Sequence, residues 1–314
     1  MITLKRSGPA GASARTNPGE RPVPACPICG GPAVRQRVVV RAGAVASCGV
    51  CGSWYRVPRP TLDELRSIYD RSYYDAWGLH RDAAITEATK RATFGPLLDR
   101  LTRLMPDGRG EGRRILDVGA ATGSLLQLAV ERGWSPFAVE LNPHAAQILR
   151  QRFGEHAVWE GELTDCTFPP RSFDAITMTD LLEHVLDVGG TLRAAAALLR
   201  PGGVLCLTTP CVDSLSRRLM GRNWLHFKLE HVQYFSRSGI RSAVVVNGFE
   251  DPVIRGASKH LTFDYLRCQL ETYPHWLLTP TTRALAAILP AGLRSRPVPV
   301  RCGEILVLAR RAQG

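Results

Sequence analysis

The sequence predicts an α/β fold, in which a mostly parallel sheet of seven strands has helices on both faces, together with a small N-terminal module that carries paired cysteines. Two observations predict it. From Arg113 onward, strand-like and helix-like patterns alternate, which is typical of a parallel sheet with crossover helices. Ahead of that region, four of the nine cysteines fall in two Cys-x-x-Cys pairs, a pattern that indicates metal binding. We therefore expect one large core and one small module.

The composition fits a globular protein without a membrane segment. The chain has 314 residues, of which 45% are hydrophobic and 22% are charged, values within the ordinary globular range. No stretch approaches the roughly 18 apolar residues that a membrane span needs, and no apolar signal core follows residues 1–6. We expect a cytoplasmic protein with no membrane partner. The sequence leaves its oligomeric state open.

Positive charge is concentrated near the N-terminus. The net charge is +12, and residues 1–60 contain nine Lys or Arg against a single acidic residue, Glu20. One interpretation is a surface for nucleic acid or an acidic substrate, and the other is a solvated face that offsets the negative charge of a four-thiolate metal centre. Because no aromatic residues alternate with these arginines, we favour the second interpretation.

Four segments follow one another along the chain. Residues 1–25 are rich in Gly, Pro, Ser, Ala and Arg without apolar periodicity, so we expect a disordered lead-in. The cysteine module spans 26–60, and a helical linker or lid spans 61–110. The α/β domain should then occupy 111–314.

The elements of that domain follow from local patterns. We expect strands at 114–118, 136–140, 157–159, 173–177 and 204–208, with later ones near Val253 and at 305–309. Helices should begin near Gly123, Pro143, Asp180 and Thr191. The Pro-Gly-Gly sequence at 201–203 should end a helix and turn tightly into an apolar strand.

The paired cysteines predict a zinc site. The Cys26–Cys29 pair and the Cys48–Cys51 pair are separated by 18 residues, within the spacing of four-cysteine zinc ribbons. Four sulfur ligands leave no position for a water molecule, so the Zn²⁺ ion should be structural and not catalytic. A thioredoxin-like redox role is disfavoured because neither pair begins a βαβ unit.

A glycine-bearing turn at residues 115–126 predicts a cofactor site between a buried strand and a helix. A dinucleotide fingerprint would need glycines where Ala121 and Ser124 stand, so a pyrophosphate ligand fits poorly. Asp117 would repel a pyrophosphate but attract the sulfonium and ammonium groups of S-adenosylmethionine (SAM). Glu140, 23 residues further on, ends the next strand, where a carboxylate can bind a ribose diol.

With these residues identified, the region from about 110 to 250 resembles the class I SAM-dependent methyltransferases, which have a Rossmann-like sheet. The resemblance rests on the segments 117–123, 140–142, 172–174, 182–185 and 199–203. It implies that Gly119 and Gly123 let the backbone approach the methionine part of SAM, that Glu162 and Leu163 flank the adenine, and that Thr179 and Asp180 border the methyl group. The implied cofactor-binding residues are Asp117, Gly119, Ala120, Ala121, Gly123, Glu140, Leu141, Asn142, Glu162, Leu163, Thr179 and Asp180.

The zinc ribbon and the residues after it imply a class of acceptor. Together with residues 58–60 and the tyrosines Tyr69, Tyr73 and Tyr74, the ribbon resembles the N-terminal part of bacterial methyltransferases of sugar, polysaccharide and natural-product pathways. Sugar C-methyltransferases usually carry a second large domain, whereas this chain ends at Gly314. We therefore expect O-methylation of a small or glycosylated metabolite. The alternatives are a sugar C-methyltransferase and a zinc-ribbon ribosomal RNA methyltransferase.

Histidines are the candidate bases, since an O-methyltransferase must remove a hydroxyl proton. His231 falls in the loop after the fifth expected strand, where the resemblance to sugar-type methyltransferases places a Glu-His pair at the acceptor. In that arrangement Glu230 could orient the imidazole of His231. His184, expected on the helix that begins near Asp180, is the second candidate, and its alternative interpretation is a structural histidine.

Overall fold

The computed structural model describes residues 25–31, 34–40, 42–68, 83–272 and 274–313. Nearly all of the expected disordered lead-in, and the tyrosines Tyr69, Tyr73 and Tyr74, lie outside the described residues. The strands are β1 Val34–Val40, β2 Gly43–Cys48, β3 Trp54–Arg56, β4 Arg114–Val118, β5 Ser135–Glu140, β6 Val158–Glu160, β7 Phe173–Thr179, β8 Leu199–Pro210, β9 Gln233–Tyr234, β10 Phe249–Gly256, β11 Lys259–Leu261, β12 Val298–Val300 and β13 Glu304–Arg311.

Helices connect most of these strands. They are α1 Leu62–Ile68, α2 Ala83–Arg103, α3 Ser124–Val130, α4 Pro143–Phe153, α5 Val188–Leu198, α6 Leu215–Met220, α7 Arg237–Val246, α8 Phe263–Thr272, α9 Leu278–Ile288 and α10 Ala291–Arg294. Among the described residues, no helix combines the length and the apolar character that crossing a membrane requires.

The central sheet has seven strands in the order β10-β13-β8-β7-β4-β5-β6. The neighbours from β6 to β8 are parallel, and β13 runs antiparallel to both β8 and β10. Successive strand residues point to opposite faces, as a pleated strand requires: Ile115 packs with Leu98 and Leu126 of α2 and α3, whereas Leu116 packs with Leu192 of α5. The predicted α/β fold, mostly parallel with helices on both faces, is confirmed.

One predicted helix is wrong. Helices begin close to the expected positions Gly123, Pro143 and Thr191, but residues 180–187 form turns. Asp180 has a φ of 53°, in the left-handed region, and its backbone N–H donates to the carbonyl of Thr208 at 3.0 Å. This conformation excludes a right-handed helix at that residue. The next helix begins only after Asp187, whose side chain accepts from the N–H of Gly190.

The cysteine module is joined to the α/β domain by a shared sheet. Strands β1, β2 and β3 form an antiparallel sheet whose fourth strand, β9, comes from far along the chain. At the same junction, the hydroxyl of Ser238 donates to the carbonyl of Cys51 at 2.8 Å, and Arg59 donates to Gln233 of β9 at 3.2 Å. The module therefore fixes the position of the segment that contains His231.

A segment that the sequence analysis did not recognise lies between the last two strands of the central sheet. It spans residues 257–303 and is called the inserted segment below. It contains α8, α9 and α10 together with the antiparallel pair β11 and β12. It begins immediately after β10 and ends immediately before β13, so both of its ends are anchored at the edge of the sheet. From there it covers one side of the site described next.

Candidate functional site

A cavity of about 1590 Å³ opens at the carboxyl ends of β4, β5 and β7. Ligands bind at this edge in open parallel sheets. Residues of α2 and of the inserted segment line the cavity together, and the two elements are in contact, since the N–H of His260 donates to Oγ1 of Thr93 at 2.9 Å. The volume exceeds the roughly 300–1,000 Å³ of ordinary ligand pockets, so a cofactor and a second molecule have room to bind side by side.

The glycine-bearing turn approaches the cavity through Gly119, Ala120 and Ala121, all of which line it. Ala121 replaces the expected middle glycine and has a φ of 49°, a conformation that is uncommon for residues with a Cβ. Its N–H donates to Oε2 of Glu140 at 2.8 Å, which holds this conformation. The turn keeps its shape without that glycine.

Gly123 lies away from the cavity, and its predicted part in binding the methionine moiety stays a prediction. It is the one predicted cofactor residue that does not line the cavity. Its φ is +81°, and an added Cβ would lie 2.7 Å from Phe153 and 2.8 Å from Leu149. A glycine is needed at this position because α4 packs closely against the turn.

Glu140 is held rigidly at the end of β5. It is buried, and its two carboxylate oxygens accept hydrogen bonds from the N–H groups of Ala121 and Asn142, at 2.8 and 2.9 Å. Burial raises the pKa of Glu140, and these backbone donors oppose that rise. A carboxylate offers about four acceptor positions. Glu140 therefore keeps acceptor capacity for a diol in the cavity that it lines.

Asp117 lies at the floor of the same part of the cavity. It is 2% exposed, and its Oδ1 accepts a hydrogen bond from Oγ1 of Thr177 at 2.7 Å. Burial raises the pKa of the Asp117 carboxyl to about 7. A carboxyl group whose pKa is raised in this way becomes fully ionised when a cationic group binds beside it.

The remaining predicted cofactor residues also line the cavity. Asn142 caps the N-terminus of α4, where its side chain accepts a hydrogen bond from the N–H of Ala145. Leu163 is buried beside the exposed Glu162, in the turn that follows β6. The residues in this group are Leu141, Asn142, Glu162, Leu163, Thr179 and Asp180.

The two candidate histidines lie in contact, but only His184 lines the cavity. Their ring centroids are 4.7 Å apart and their planes are perpendicular. His231 is 4% exposed and lies against His184, and Glu230 on the same loop is also buried. Burial lowers the pKa of His184 to about 4 and that of His231 well below its ordinary value. Both imidazoles are therefore neutral at pH 7, and His184 is the one that an acceptor can reach.

A second carboxylate, Glu183, shares this place with the histidines. Its ligand atom and those of His184 and His231 all lie within 4.8 Å of one another. The sequence analysis assigned the orienting carboxylate to Glu230, the neighbour of His231 in the chain. The structure places Glu183, from a different segment, beside both imidazoles.

Lys259 of the inserted segment is a cavity residue that the sequence analysis missed. Its ammonium group lies 2.6 Å from Oδ2 of Asp180 and 2.6 Å from Oε1 of Glu304. Burial would lower the pKa of Lys259, but these two carboxylates raise it well above its ordinary value. The only feature of the sequence that could have indicated Lys259 is that it is a rare lysine near the end of a strand. No motif links it to Asp180.

Lys90 on α2 is a second cavity residue that was missed. Burial lowers its pKa, although the nearby Glu87 favours the charged form. Thr86, Thr89 and Thr93 lie on the same face of α2, also against the cavity. The sequence analysis treated this helix as a linker or lid and gave it no binding residue.

The four paired cysteines converge as the sequence predicts. Their sulfur atoms all lie within 4.8 Å of one another, with Cys26 and Cys51 at 3.8 Å and Cys29 and Cys48 at 3.6 Å. A tetrahedral zinc ion with Zn–S bonds of about 2.3 Å requires sulfur–sulfur distances of about 3.8 Å. The N–H groups of Val50 and Cys51 also point at Cys48 Sγ, as they would to stabilise a thiolate. The cluster fits a four-coordinate zinc ion.

The comparison with protein families agrees with this architecture. A family model described as a methyltransferase domain matches residues 89–252, a little over half of the chain. The chain therefore belongs to the methyltransferase domain family, and its fold is the Rossmann-like fold of SAM-dependent methyltransferases.

Two named relatives illustrate the similarity. A demethylmenaquinone methyltransferase from Tropheryma whipplei is 35% identical over 111 residues, which cover 35% of this chain and 45% of the relative. A ubiquinone biosynthesis O-methyltransferase from Xanthomonas campestris is 36% identical over 103 residues, which cover 31% of this chain and 43% of the relative. The chain thus spans less than half the length of these relatives.

A solved structure shares the fold. It is a chain of the complex between the Trm112 methyltransferase activator of Haloferax volcanii and a methyltransferase. The TM-score is 0.50 at 17% identity, over 76% of this chain and 98% of that chain. At this identity the likeness shows the fold alone.

Proposed function

We propose that this chain transfers the methyl group of SAM to a hydroxyl oxygen of a small or glycosylated metabolite. The observation that carries the proposal is one cavity with two chemically distinct ends. The cofactor end has Glu140, Asp117 and the glycine-bearing turn, and the acceptor end has Asp180, His184 and Lys259. The names of the two relatives, which refer to quinone compounds, support a small-molecule acceptor.

The cofactor end suits the groups of SAM, which supplies a methyl group on a positively charged sulfur. Glu140 would accept hydrogen bonds from the ribose hydroxyls, because its carboxylate is fixed by two backbone donors and faces the cavity. Asp117 would attract the ammonium group of the methionine part. Lys90 is placed to pair with the carboxylate of that part, since it lines the same cavity. Leu163 would contact the adenine ring.

The acceptor end must remove a proton. In the transfer, the acceptor hydroxyl gives its proton to the imidazole of His184, its oxygen bonds to the methyl carbon, and the carbon–sulfur bond breaks with its electron pair left on sulfur. The neutral imidazole of His184 faces the cavity, and His231 contacts it from behind. These positions support His184 as the residue closest to the reacting oxygen, with His231 acting through it. His231 as the base itself was the sequence prediction, and its burial favours the indirect role.

A structural zinc ion at Cys26, Cys29, Cys48 and Cys51 is part of the proposal. The sulfur–sulfur distances support it. Such a centre needs reduced thiols, which is consistent with a reducing compartment such as the cytoplasm.

A screen of acceptors with SAM labelled on the methyl group tests the proposed function. We expect label in a hydroxylated or glycosylated small molecule, and the linkage of the new methyl group, determined by NMR, should be to oxygen. A sugar carbon as the methylated atom would replace O-methylation by C-methylation. Label in ribosomal RNA at physiological salt, with no small molecule labelled, would contradict the proposal.

A further inference from the structure

We propose that Glu183, His184 and His231 bind one divalent transition-metal ion at the floor of the acceptor end, separate from the cysteine cluster. The three residues are called the triad below. Binding of the metal is argued from the geometry alone. Only the role of the metal in catalysis rests on the proposed function.

The donor set suits a transition metal. Two imidazole nitrogens and one carboxylate oxygen lie within 4.8 Å of one another, and this combination is typical of zinc, iron and related ions. Glu183 is 1% exposed and His231 is 4% exposed, so water reaches neither. His184 is half-buried and lines the cavity. Two ligands thus come from the protein interior, and the third lies at the cavity surface.

Two ligand atoms lack partners in the part of the chain that the structure describes. They are Oε1 of Glu183 and Nδ1 of His231, and both are fully buried. Buried polar atoms in folded proteins almost always have a hydrogen-bond partner, because removing them from water without one costs free energy. A metal ion bound between them would satisfy both atoms at once.

Each ligand is also oriented by a second contact. The other carboxylate oxygen of Glu183 accepts a hydrogen bond from Oγ1 of Thr209 at 3.0 Å. The ring of His184 bonds to the backbone of Glu230, and the ring of His231 bonds to the backbone of His226. Histidines that bind metals usually donate their second ring N–H to a carbonyl or carboxylate in this way. The triad therefore has the surrounding contacts of a metal site as well as its ligands.

The position of the triad would give the ion a role in catalysis. Three protein ligands leave coordination positions open, which is the arrangement of catalytic zinc sites. Because His184 is the ligand that lines the cavity, an acceptor would approach the ion from its side. With the ion bound, the lone pair of His184 belongs to the metal, so the ion would take over from that imidazole in promoting proton loss. A bound cation lowers the pKa of a hydroxyl that coordinates it, and the acceptor proton would then leave to solvent water.

Metal analysis of the full-length protein tests the proposal. After dialysis against Zn²⁺ under reducing conditions, we expect two zinc ions per chain, one in the cysteine cluster and one in the triad. Glu183→Gln and His184→Asn should each leave one ion and weaken binding of the second by more than about 100-fold, since removing even a supporting contact costs about 10- to 100-fold. Of these two variants, His184→Asn should destabilise the fold less, because the side chain of His184 is only half-buried. Asp174→Asn, which changes a buried carboxylate that does not line the cavity, should keep both ions.

The spectrum of bound Co²⁺ provides an independent readout. Sulfur-to-metal absorption should report the cysteine cluster, and weaker visible bands without sulfur character should report the triad and disappear in Glu183→Gln. One zinc ion per parental chain, with cobalt bands from thiolates only, would overturn the proposal. So would unchanged zinc content in both triad variants, which would indicate that Glu183 and His231 share a proton instead.

Failure of the proposal is distinguishable from failure of the proposed function. A protein that methylates a hydroxylated acceptor at full rate with one zinc per chain would keep the function and lose the triad site. A protein that binds two zinc ions but neither binds S-adenosylhomocysteine nor transfers methyl groups would keep the triad site and lose the function.

Discussion

The two ends of the cavity hold their charged groups differently. At the cofactor end, Glu140 and Asp117 are fixed by hydrogen bonds from backbone N–H groups and a neighbouring threonine. At the acceptor end, Lys259 joins carboxylates from two separate segments, and buried atoms of Glu183 and His231 have no partner among the described residues. The carboxylates of the cofactor end are thus held by hydrogen bonds within the central sheet and its turns, whereas the acceptor end depends on the inserted segment and on what binds there.

The largest effect is expected from removing the zinc ion of the cysteine module, which should disturb the acceptor end but not the cofactor end. Cys48→Ser should remove the thiolate-bound zinc, whose binding contributes on the order of 10 kcal/mol to the folding of such modules. Because β3 of the module pairs with β9, next to His231, we expect methyl transfer to be lost. Affinity for S-adenosylhomocysteine should remain within a few-fold, because the cofactor residues lie on β4, β5 and the turns after them.

Zinc analysis and calorimetry on the same preparations check this prediction. Cys166→Ser is the matched control, since Cys166 is a half-buried free cysteine outside the cluster, and it should keep both zinc and activity. Full activity of Cys48→Ser without its zinc would mean that the module does not position the acceptor end.

Changes at the histidines should affect turnover alone. His184→Asn and His231→Ala should each lower the turnover rate by roughly 100-fold or more, because each removes an imidazole of the contacting pair. Affinity for S-adenosylhomocysteine should be unchanged. Steady-state rates and calorimetry separate the two quantities. Parental turnover in His231→Ala together with loss in His184→Asn would leave His231 without a role.

The same contrast explains what the sequence could predict. All but one of the residues predicted to bind the cofactor line the cavity, because the neighbouring parallel strands β7, β4 and β5 place Thr179, Asp117 and Glu140 at one edge of the sheet. That they bind the cofactor stays a prediction. The acceptor end was predicted only in part. Lys259 reaches Asp180 across 79 positions of the chain, which no periodicity reveals. Glu183 was overlooked beside His231 because adjacency in the sequence favoured Glu230.

The turn after β7 shows the other limit of sequence patterns. The sequence analysis predicted that a helix begins near Asp180. The structure instead gives Asp180 a positive φ, since its N–H is taken by Thr208 of the neighbouring strand. A tertiary hydrogen bond thus decides the local conformation, and the cavity gains the carboxylate that pairs with Lys259.

At the cofactor end, Glu140→Ala should weaken S-adenosylhomocysteine binding by about 2–3 kcal/mol, or roughly 30- to 150-fold, because a charged acceptor of two hydrogen bonds is lost. Glu160→Gln is the matched control, since Glu160 ends the adjacent strand but pairs with Arg150 outside the cavity. Calorimetry measures both. Equal affinities of Glu140→Ala and the parent would show that Glu140 does not bind the ribose.

The smallest expected effect is a pH dependence of cofactor binding that belongs to Asp117. Burial raises the pKa of this carboxyl to about 7, so in the free protein it is largely protonated at pH 6 and largely ionised at pH 8. Binding of an ammonium group beside it favours the ionised form, and the proton must leave when the ligand binds at low pH. Affinity for S-adenosylhomocysteine should therefore rise by about 10-fold from pH 6 to pH 8 and level off above that range. Asp117→Asn should bind more weakly than the parent at pH 8 and lose this dependence. A parental affinity that is constant between pH 6 and pH 8, or one that falls as the pH rises, would show that Asp117 does not face the ammonium group.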